Sequence, residues 1–180
     1  MVKSINLYNN FNIKTKHRGS IILIGNFDGL HLGHQKLFTL AQKFKKKYSL
    51  KVGVLTFEPM PKMFFNHSIK NFRISNQQQK ISFLNKLNVD FVVIKKFDKK
   101  FSKVKSSDFI KKILAKKLNA KFIFVSNNFR FGNKREGDVR QLIKYEDSFN
   151  YKIIKPKPIL DRKKIKYPLI FSPLFSLIGL

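Results

Sequence analysis

The 180-residue chain carries 38 Lys and Arg against 10 Asp and Glu, a formal net charge of +28, with 20 Phe and no Trp. That length suits one domain with its own core, and the lack of Cys excludes disulfides, thiolate catalysis and cysteine-based metal sites. No apolar run reaches the roughly 18–20 residues that span a bilayer, and Met1-Val2-Lys3-Ser4 leads into polar sequence rather than a signal core, so a cytoplasmic protein without a membrane partner is expected.

Strand-like apolar runs alternate with amphipathic stretches, which predicts an α/β fold with a doubly wound, mainly five-stranded parallel sheet. Strands are expected at 21–25, 51–56, 89–94, 121–126 and 151–155, and helices at 33–48, 75–87, 106–118 and 138–149. The first strand, Ile21-Ile22-Leu23-Ile24, feeds the turn Gly25-Asn26-Phe27-Asp28-Gly29-Leu30-His31-Leu32-Gly33-His34. Leu37, Leu40, Ala41 and Phe44 then recur at helical spacing. A strand, a tight turn and a helix start gather free N–H groups and the positive helix end, which favours an anion. His31 and His34 lie three residues apart and share a helix face, so both can hold one phosphate. Gly25, Gly29 and Gly33 let backbone and ligand approach closely. The plainer alternative is a pair of solvated or capping histidines.

The second strand runs into Thr56-Phe57-Glu58-Pro59-Met60-Pro61, with Phe65 beyond. Ser106 or Ser107 is expected to cap the third helix. The fourth strand runs into Ser126-Asn127-Asn128-Phe129-Arg130-Phe131-Gly132 and Arg135-Glu136-Gly137-Asp138, with Asp138 opening the last helix. Pro156 to Leu160 is expected to leave the last strand in extended form. All three motif segments follow a strand, so all three are expected at one crevice beyond the strands' carboxyl ends. Lys45-Lys46-Lys47, Lys95-Lys96 and Lys116-Lys117 fall at helix ends or turns and read as solvated faces. Abundant Lys, Asn, Ile and Phe with only Ala41, Ala115 and Ala120 as alanines is the composition an AT-rich genome imposes. Specific nucleic-acid binding is therefore not expected, although a positive surface attracts anions.

In this order, Gly25-Asn26-Phe27-Asp28-Gly29-x-His31-x-Gly33-His34, Thr56-Phe57-Glu58-Pro59-Met60-Pro61 with Phe65, and Asn128-Phe129-Arg130-Phe131-Gly132 with Arg135-Glu136-Gly137-Asp138 resemble the bacterial FAD synthetases. These are bifunctional riboflavin kinase/FMN adenylyltransferases whose N-terminal domain belongs to the HxGH nucleotidylyltransferase superfamily. The resemblance covers about residues 20–160. It implies an FMN adenylyltransferase domain at 1–160, transferring an adenylyl group from ATP to FMN and giving FAD and pyrophosphate. His31 and His34 would be catalytic. Gly25, Asn26, Phe27, Asp28, Gly29 and Gly33 would form the ATP loop with them. Pro59, Met60, Pro61, Phe65, Asn128 and Phe129 would hold the flavin, although Phe65 and Phe129 equally suit a core. Arg130 and Arg135 either contact phosphate or are merely exposed. Mg²⁺ would accompany ATP, held mostly by substrate oxygens and water, with Asp28 and Glu58 as the sparse protein candidates. No metal site built by the protein alone is expected, because His31 and His34 lack a third ligand and His17 and His67 lie in loops.

The chain departs from the family pattern in three places. Met60 stands where many members carry His, and Ser126 replaces a Gly. The stretch Asp161 to Phe175 lacks the family's Ser-Ser-Thr-x-Ile-Arg phosphate motif. Residues 161–180 read as a truncated or frameshifted end, and no riboflavin kinase domain follows. The alternatives are a catalytically impaired flavin- or nucleotide-binding remnant, another HxGH adenylyltransferase, or a basic nucleic-acid-binding protein motivated by charge alone.

Overall fold

In the computed structural model, residues 4–29, 32–66, 74–155, 159–160 and 166–167 are described. The elements run β1 (Asn6–Tyr8), β2 (Ile21–Ile24), α1 (Leu32–Tyr48), β3 (Val52–Glu58), α2 (Pro61–Phe65), α3 (Gln77–Lys86), β4 (Phe91–Lys96), α4 (Ser106–Asp108), a π-helix (Phe109–Lys117), β5 (Phe122–Phe124), β6 (Arg130–Phe131), β7 (Gly137–Asp138), α5 (Val139–Lys144), α6 (Glu146–Phe149), β8 (Lys152–Ile154), β9 (Ile159–Leu160) and β10 (Lys166–Tyr167).

The main sheet has six parallel strands in the order β1-β4-β3-β2-β5-β8. Its strands read as continuous apolar runs because both faces are covered. Ile21 and Leu23 of β2 pack with Leu37, Phe38 and Ala41 of α1 and with Leu84 of α3. Ile22 and Ile24 point to the opposite face, into a cluster with Phe109, Ile110, Ile113, Leu114, Leu142 and Tyr151. The chain builds outward from β2 through β3 to β4, then returns to place β5 on the other flank of β2. That reversal opens a crevice at the carboxyl ends of β2 and β5.

The five expected strands all form, and β1 adds a sixth at the edge. Its three residues include one apolar residue, Leu7, which is exposed, so no periodicity marks it. Two of the expected helices differ in detail. The third starts as α4 and continues as the π-helix, whose buried Phe109, Ile113 and Leu114, with Leu118 at its C-cap, recur every four to five residues. Neither serine side chain caps it; the Ser106 N–H donates instead to Glu136 Oε1 at 2.6 Å. The last helix does open on Asp138, which accepts from the Gln141 N–H at 3.0 Å, but it breaks at Tyr145 into α5 and α6. Of the segment 156–160, residues 156–158 lie outside the described residues, and Ile159–Leu160 pairs antiparallel with Lys166–Tyr167.

Gly53 sits in the middle of β3, opposite Phe91 of β4. The Phe91 ring lies where a Cβ on Gly53 would be, and its other face stacks on the buried His17 ring at 4.6 Å. The glycine is what lets that aromatic layer close on the sheet.

Candidate active site

The turn after β2 starts with the Gly25 N–H donating to the Leu55 carbonyl at 3.1 Å, which seats it beside β3. Phe27 takes a left-handed conformation (φ 48°) and turns its ring back under the loop. The ring is buried, and a Cβ on Gly25 would lie 3.1 Å from its Cζ. It packs 5.2 Å from the His34 ring and 5.2 Å from Phe38. Gly29 is also left-handed (φ 64°), and a Cβ there would press on Ile74.

His34 lies in the first turns of α1, half-buried, with Nδ1 at 3.2 Å from the Gly29 carbonyl. A carbonyl only accepts, so Nδ1 carries the proton in this contact and the ring orientation is fixed by the turn it serves. Gly33 is buried in the same turn. His31, the other histidine of the pattern, lies outside the described residues.

Asp28 does not stand open in the turn. Its Oδ1 accepts from the Ser75 N–H at 2.9 Å and the Ser75 hydroxyl at 3.0 Å, and the Ile74 N–H donates to both carboxylate oxygens at 3.0 and 3.1 Å. The carboxylate therefore ties the turn to the segment that enters α3. Thr56 completes the link between the two turns by donating to the Asn26 carbonyl at 3.3 Å.

Asp28, Glu58, Met60, Ser75, Gln77 and Lys80 line one narrow cleft. Met60 is buried and precedes Pro61, which occupies the first turn of α2 as proline suits. Pro59 follows a cis peptide bond from Glu58. Phe65, at the end of α2, is 67% exposed, and its ring meets Phe64 at 5.2 Å and Phe97 at 5.8 Å. Phe129 is different: it is half-buried and stacks on Phe131 at 5.4 Å against the core. Asn128 is exposed in the turn after β5.

The stretch from Arg130 to Asp138 forms a β6–β7 hairpin packed against α4. A Cβ on Gly132 or Gly137 would collide with Ser106, and Gly132 is left-handed (φ 78°). The Asn133 N–H donates to the Val104 carbonyl at 2.7 Å. Arg130 is exposed and reaches Asp138 at 3.8 Å, and Arg135 is exposed on the hairpin turn. Asp138 is held below the usual carboxylate range, first by the Gln141 N–H and then, against a desolvation penalty, by Arg130.

Ser75, Gln77 and Lys80 were not among the residues expected in the site. Lys80 carried the one signal that points to it. It stands four residues before Leu84, on the stripe where α3 calls for an apolar residue, and it is the buried lysine among the described residues.

The FAD synthetase family profile matches residues 13–166. A bifunctional riboflavin kinase/FMN adenylyltransferase of Buchnera aphidicola (subspecies Schizaphis graminum) is 39% identical over 155 residues, covering 86% of this chain and 50% of that protein. The corresponding Escherichia coli K12 protein is 36% identical over 135 residues, covering 75% of this chain and 43% of its own length. The chain thus spans about half the length of the curated relatives it matches. A crystal structure titled as a macrolide-efflux protein from Streptococcus pneumoniae superposes with a TM-score of 0.71 and 26% identity, over 88% of this chain and 51% of that one. Among the described residues, no helix is long and apolar enough to cross a membrane.

Proposed function

The chain belongs to the FAD synthetase family, and on that premise we propose that it transfers the adenylyl group of ATP to FMN, giving FAD and pyrophosphate, with residues 1–160 as the transferase domain. The observation that carries this reading is the meeting of Asp28, in the turn after β2, with Glu58 and Met60, at the end of β3, in one cleft at the carboxyl ends of two adjacent strands.

A phosphate oxygen of FMN attacks the α-phosphorus of ATP. The bond from that phosphorus to the α–β bridging oxygen breaks, and pyrophosphate leaves with the oxygen and its electron pair. Both reactants are anions, so the protein's work is alignment and neutralisation of charge on the α-phosphate oxygens. His34, its Nδ1–H tethered to the Gly29 carbonyl, acts as the doubly protonated imidazolium, donating Nε2–H to those oxygens, with His31 as its partner in the motif. Gly25, Asn26, Phe27, Asp28, Gly29 and Gly33 shape the nucleotide turn, with Asp28 acting as a brace to Ser75 rather than as a ligand. Lys80 adds positive charge to the cleft wall.

The flavin ring meets Pro59, Met60, Pro61 and the exposed Phe65, with Asn128 and Phe129 across the sheet's reversal. Arg130 and Arg135 are candidates for its phosphate. Among the described residues no group of three or more His, Cys, Asp or Glu is arranged to hold a metal. Glu58 offers a hard oxygen at the cleft, and Mg²⁺ brought by the ATP phosphates would be held there mostly by substrate oxygens and water. When bound, Mg²⁺ would neutralise phosphate charge. A cytoplasmic location belongs to the same reading, supported by a chain without cysteine.

The test is incubation of the purified protein with ATP, Mg²⁺ and FMN, following FAD and pyrophosphate, beside a His31→Ala/His34→Ala variant. FAD and pyrophosphate in equal amounts, lost in the variant, support the enzyme. Flavin or ATP binding without turnover supports the second reading, an impaired binding protein, which the missing Ser-Ser-Thr-x-Ile-Arg motif favours.

A further inference from the structure

The lysines are dispersed in sequence, but the topology gathers many of them. In a parallel sheet every strand starts at the same end, and every crossover helix finishes there. Three of the four strands β3-β2-β5-β8 start on or just after a lysine: Lys51 before β3, Lys121 before β5 and Lys152 in β8. Backbone bonds tie these starts together, with β2 between the first two: the Ile21 N–H donates to the Lys51 carbonyl, the Lys121 N–H to the Ser20 carbonyl and the Lys152 N–H to the Lys121 carbonyl, each at 2.9 Å. α1 ends there on Lys45-Lys46-Lys47, and the π-helix on Lys116-Lys117, where the Arg18 guanidinium donates to the Lys116 carbonyl at 2.8 Å.

Acidic residues do little to balance this end. Asp90 is buried and takes Lys45 at 2.6 Å, while Glu146 and Asp147 take Lys152 at 3.2 and 3.0 Å. Among the described residues, Lys47, Lys51 and Lys121 pair with no carboxylate. Between them lies a cleft of about 330 Å³ lined by Tyr48, Leu50, Lys121, Phe122, Asn150, Tyr151 and Lys152. Its wall is aromatic: Tyr48, 42% exposed, lies 4.7 Å from Phe122 at 36°, and Lys47 sits 5.2 Å over the Tyr48 ring. The adenylyl-transfer cleft is at the other end of the strands.

An exposed ring, Tyr48, beside the half-buried Phe122 and among lysines without a carboxylate partner supplies the elements of a sequence-tolerant single-strand site, in which bases stack and cations track the phosphates. A cleft of this size also admits one base. We propose that the strand-start edge of this protein binds a single-stranded polynucleotide, with a base against Tyr48 and Phe122 and the flanking phosphates on Lys47, Lys51 and Lys121.

The test is fluorescence anisotropy of a labelled oligouridylate about a dozen nucleotides long, titrated with the full chain over a range of salt concentrations. The variant Lys47→Glu/Lys51→Glu/Lys121→Glu is compared with Lys99→Glu/Lys100→Glu/Lys103→Glu, which removes the same charge away from this edge. The first is expected to weaken binding by about tenfold or more and to lower the salt slope by about 2, while the second stays within about threefold of wild type. Tyr48→Ala is expected to weaken binding with the salt slope unchanged. Circular dichroism of each variant reports folding, and Lys121→Gln alone, expected to lower the slope by about 0.7, serves if the triple variant fails to fold. Equal loss in both triple variants would mean net charge alone is at work and overturns the proposal. So does an absence of binding at low salt, or displacement of the oligonucleotide by uridine monophosphate at equal concentration, which would make this a mononucleotide pocket.

Discussion

Asp28 shows how a residue in a ligand-binding motif can serve the loop rather than the ligand. Its carboxylate answers three donors on Ile74 and Ser75, and on a half-buried side chain these bonds together are worth about 1–3 kcal/mol. Asp28→Ala should therefore lower unfolding stability by about 1–3 kcal/mol, measured in urea. Combined with Ser75→Ala, the loss should be less than the sum, because the two side chains share one bond. Strict additivity would remove the brace. His17 offers a pH test. Burial against Phe91, and then Lys16, hold its pKa below the ordinary 6.5, against a smaller opposing pull from Asp90. The unfolded chain accepts a proton that the folded chain refuses, so this stability is full above about pH 6.5 and is lost as the pH falls toward the lowered value. Tm should drop more steeply between about pH 7 and pH 5 in wild type than in His17→Gln. Parallel profiles would show that the ring is not protected in this way.

At the scale of elements, the contact that closes the sheet is Phe91 over Gly53. Gly53→Ala should cost about 1–3 kcal/mol by overpacking, read as a lower Tm, while the same change at Gly19, where a Cβ meets only Asn119 at 3.9 Å, should cost less and act through its positive φ. An unchanged Tm for Gly53→Ala would mean that the ring yields freely. The strands at 21–24, 52–58, 91–96, 122–124 and 152–154 were legible because parallel strands buried on both faces leave unbroken apolar runs. β1 was not, because an edge strand of three residues has no run to show. The π-helix was read as an ordinary helix, since Phe109, Ile110, Ile113 and Leu114 fit either period over so short a span. In the site, the Gly25–His34 turn was legible as local chemistry. The Asp28–Ser75 brace was not, because its partners lie 47 residues apart and no spacing rule connects them. Gly132, Glu136 and Gly137 carried a motif whose packing role against Ser106 only the tertiary contact reveals.

At the scale of the molecule, one topology accounts for two unlike ends. The carboxyl ends of β2 and β3 bring together Asp28, Glu58, Met60 and Lys80 around a polar cleft. The opposite edge collects helix C-termini and strand starts, and with them the lysines that a sequence of net charge +28 supplies in excess. Folding turns a compositional bias into a polarity, which is why charge counted along the chain said little about where it acts. The family relationship rests on residues 13–166, which hold five of the six strands of the main sheet, and adenylyl transfer is the proposed activity on which the whole account stands. The most direct measurement follows the α-phosphate: ATP labelled at that phosphorus is incubated with FMN, Mg²⁺ and the protein, and the flavin products are separated. The account predicts label in FAD and none in pyrophosphate, with His34→Ala slowing transfer by about a hundredfold or more. Unlabelled flavin after prolonged incubation, or undiminished transfer in His34→Ala, would contradict it.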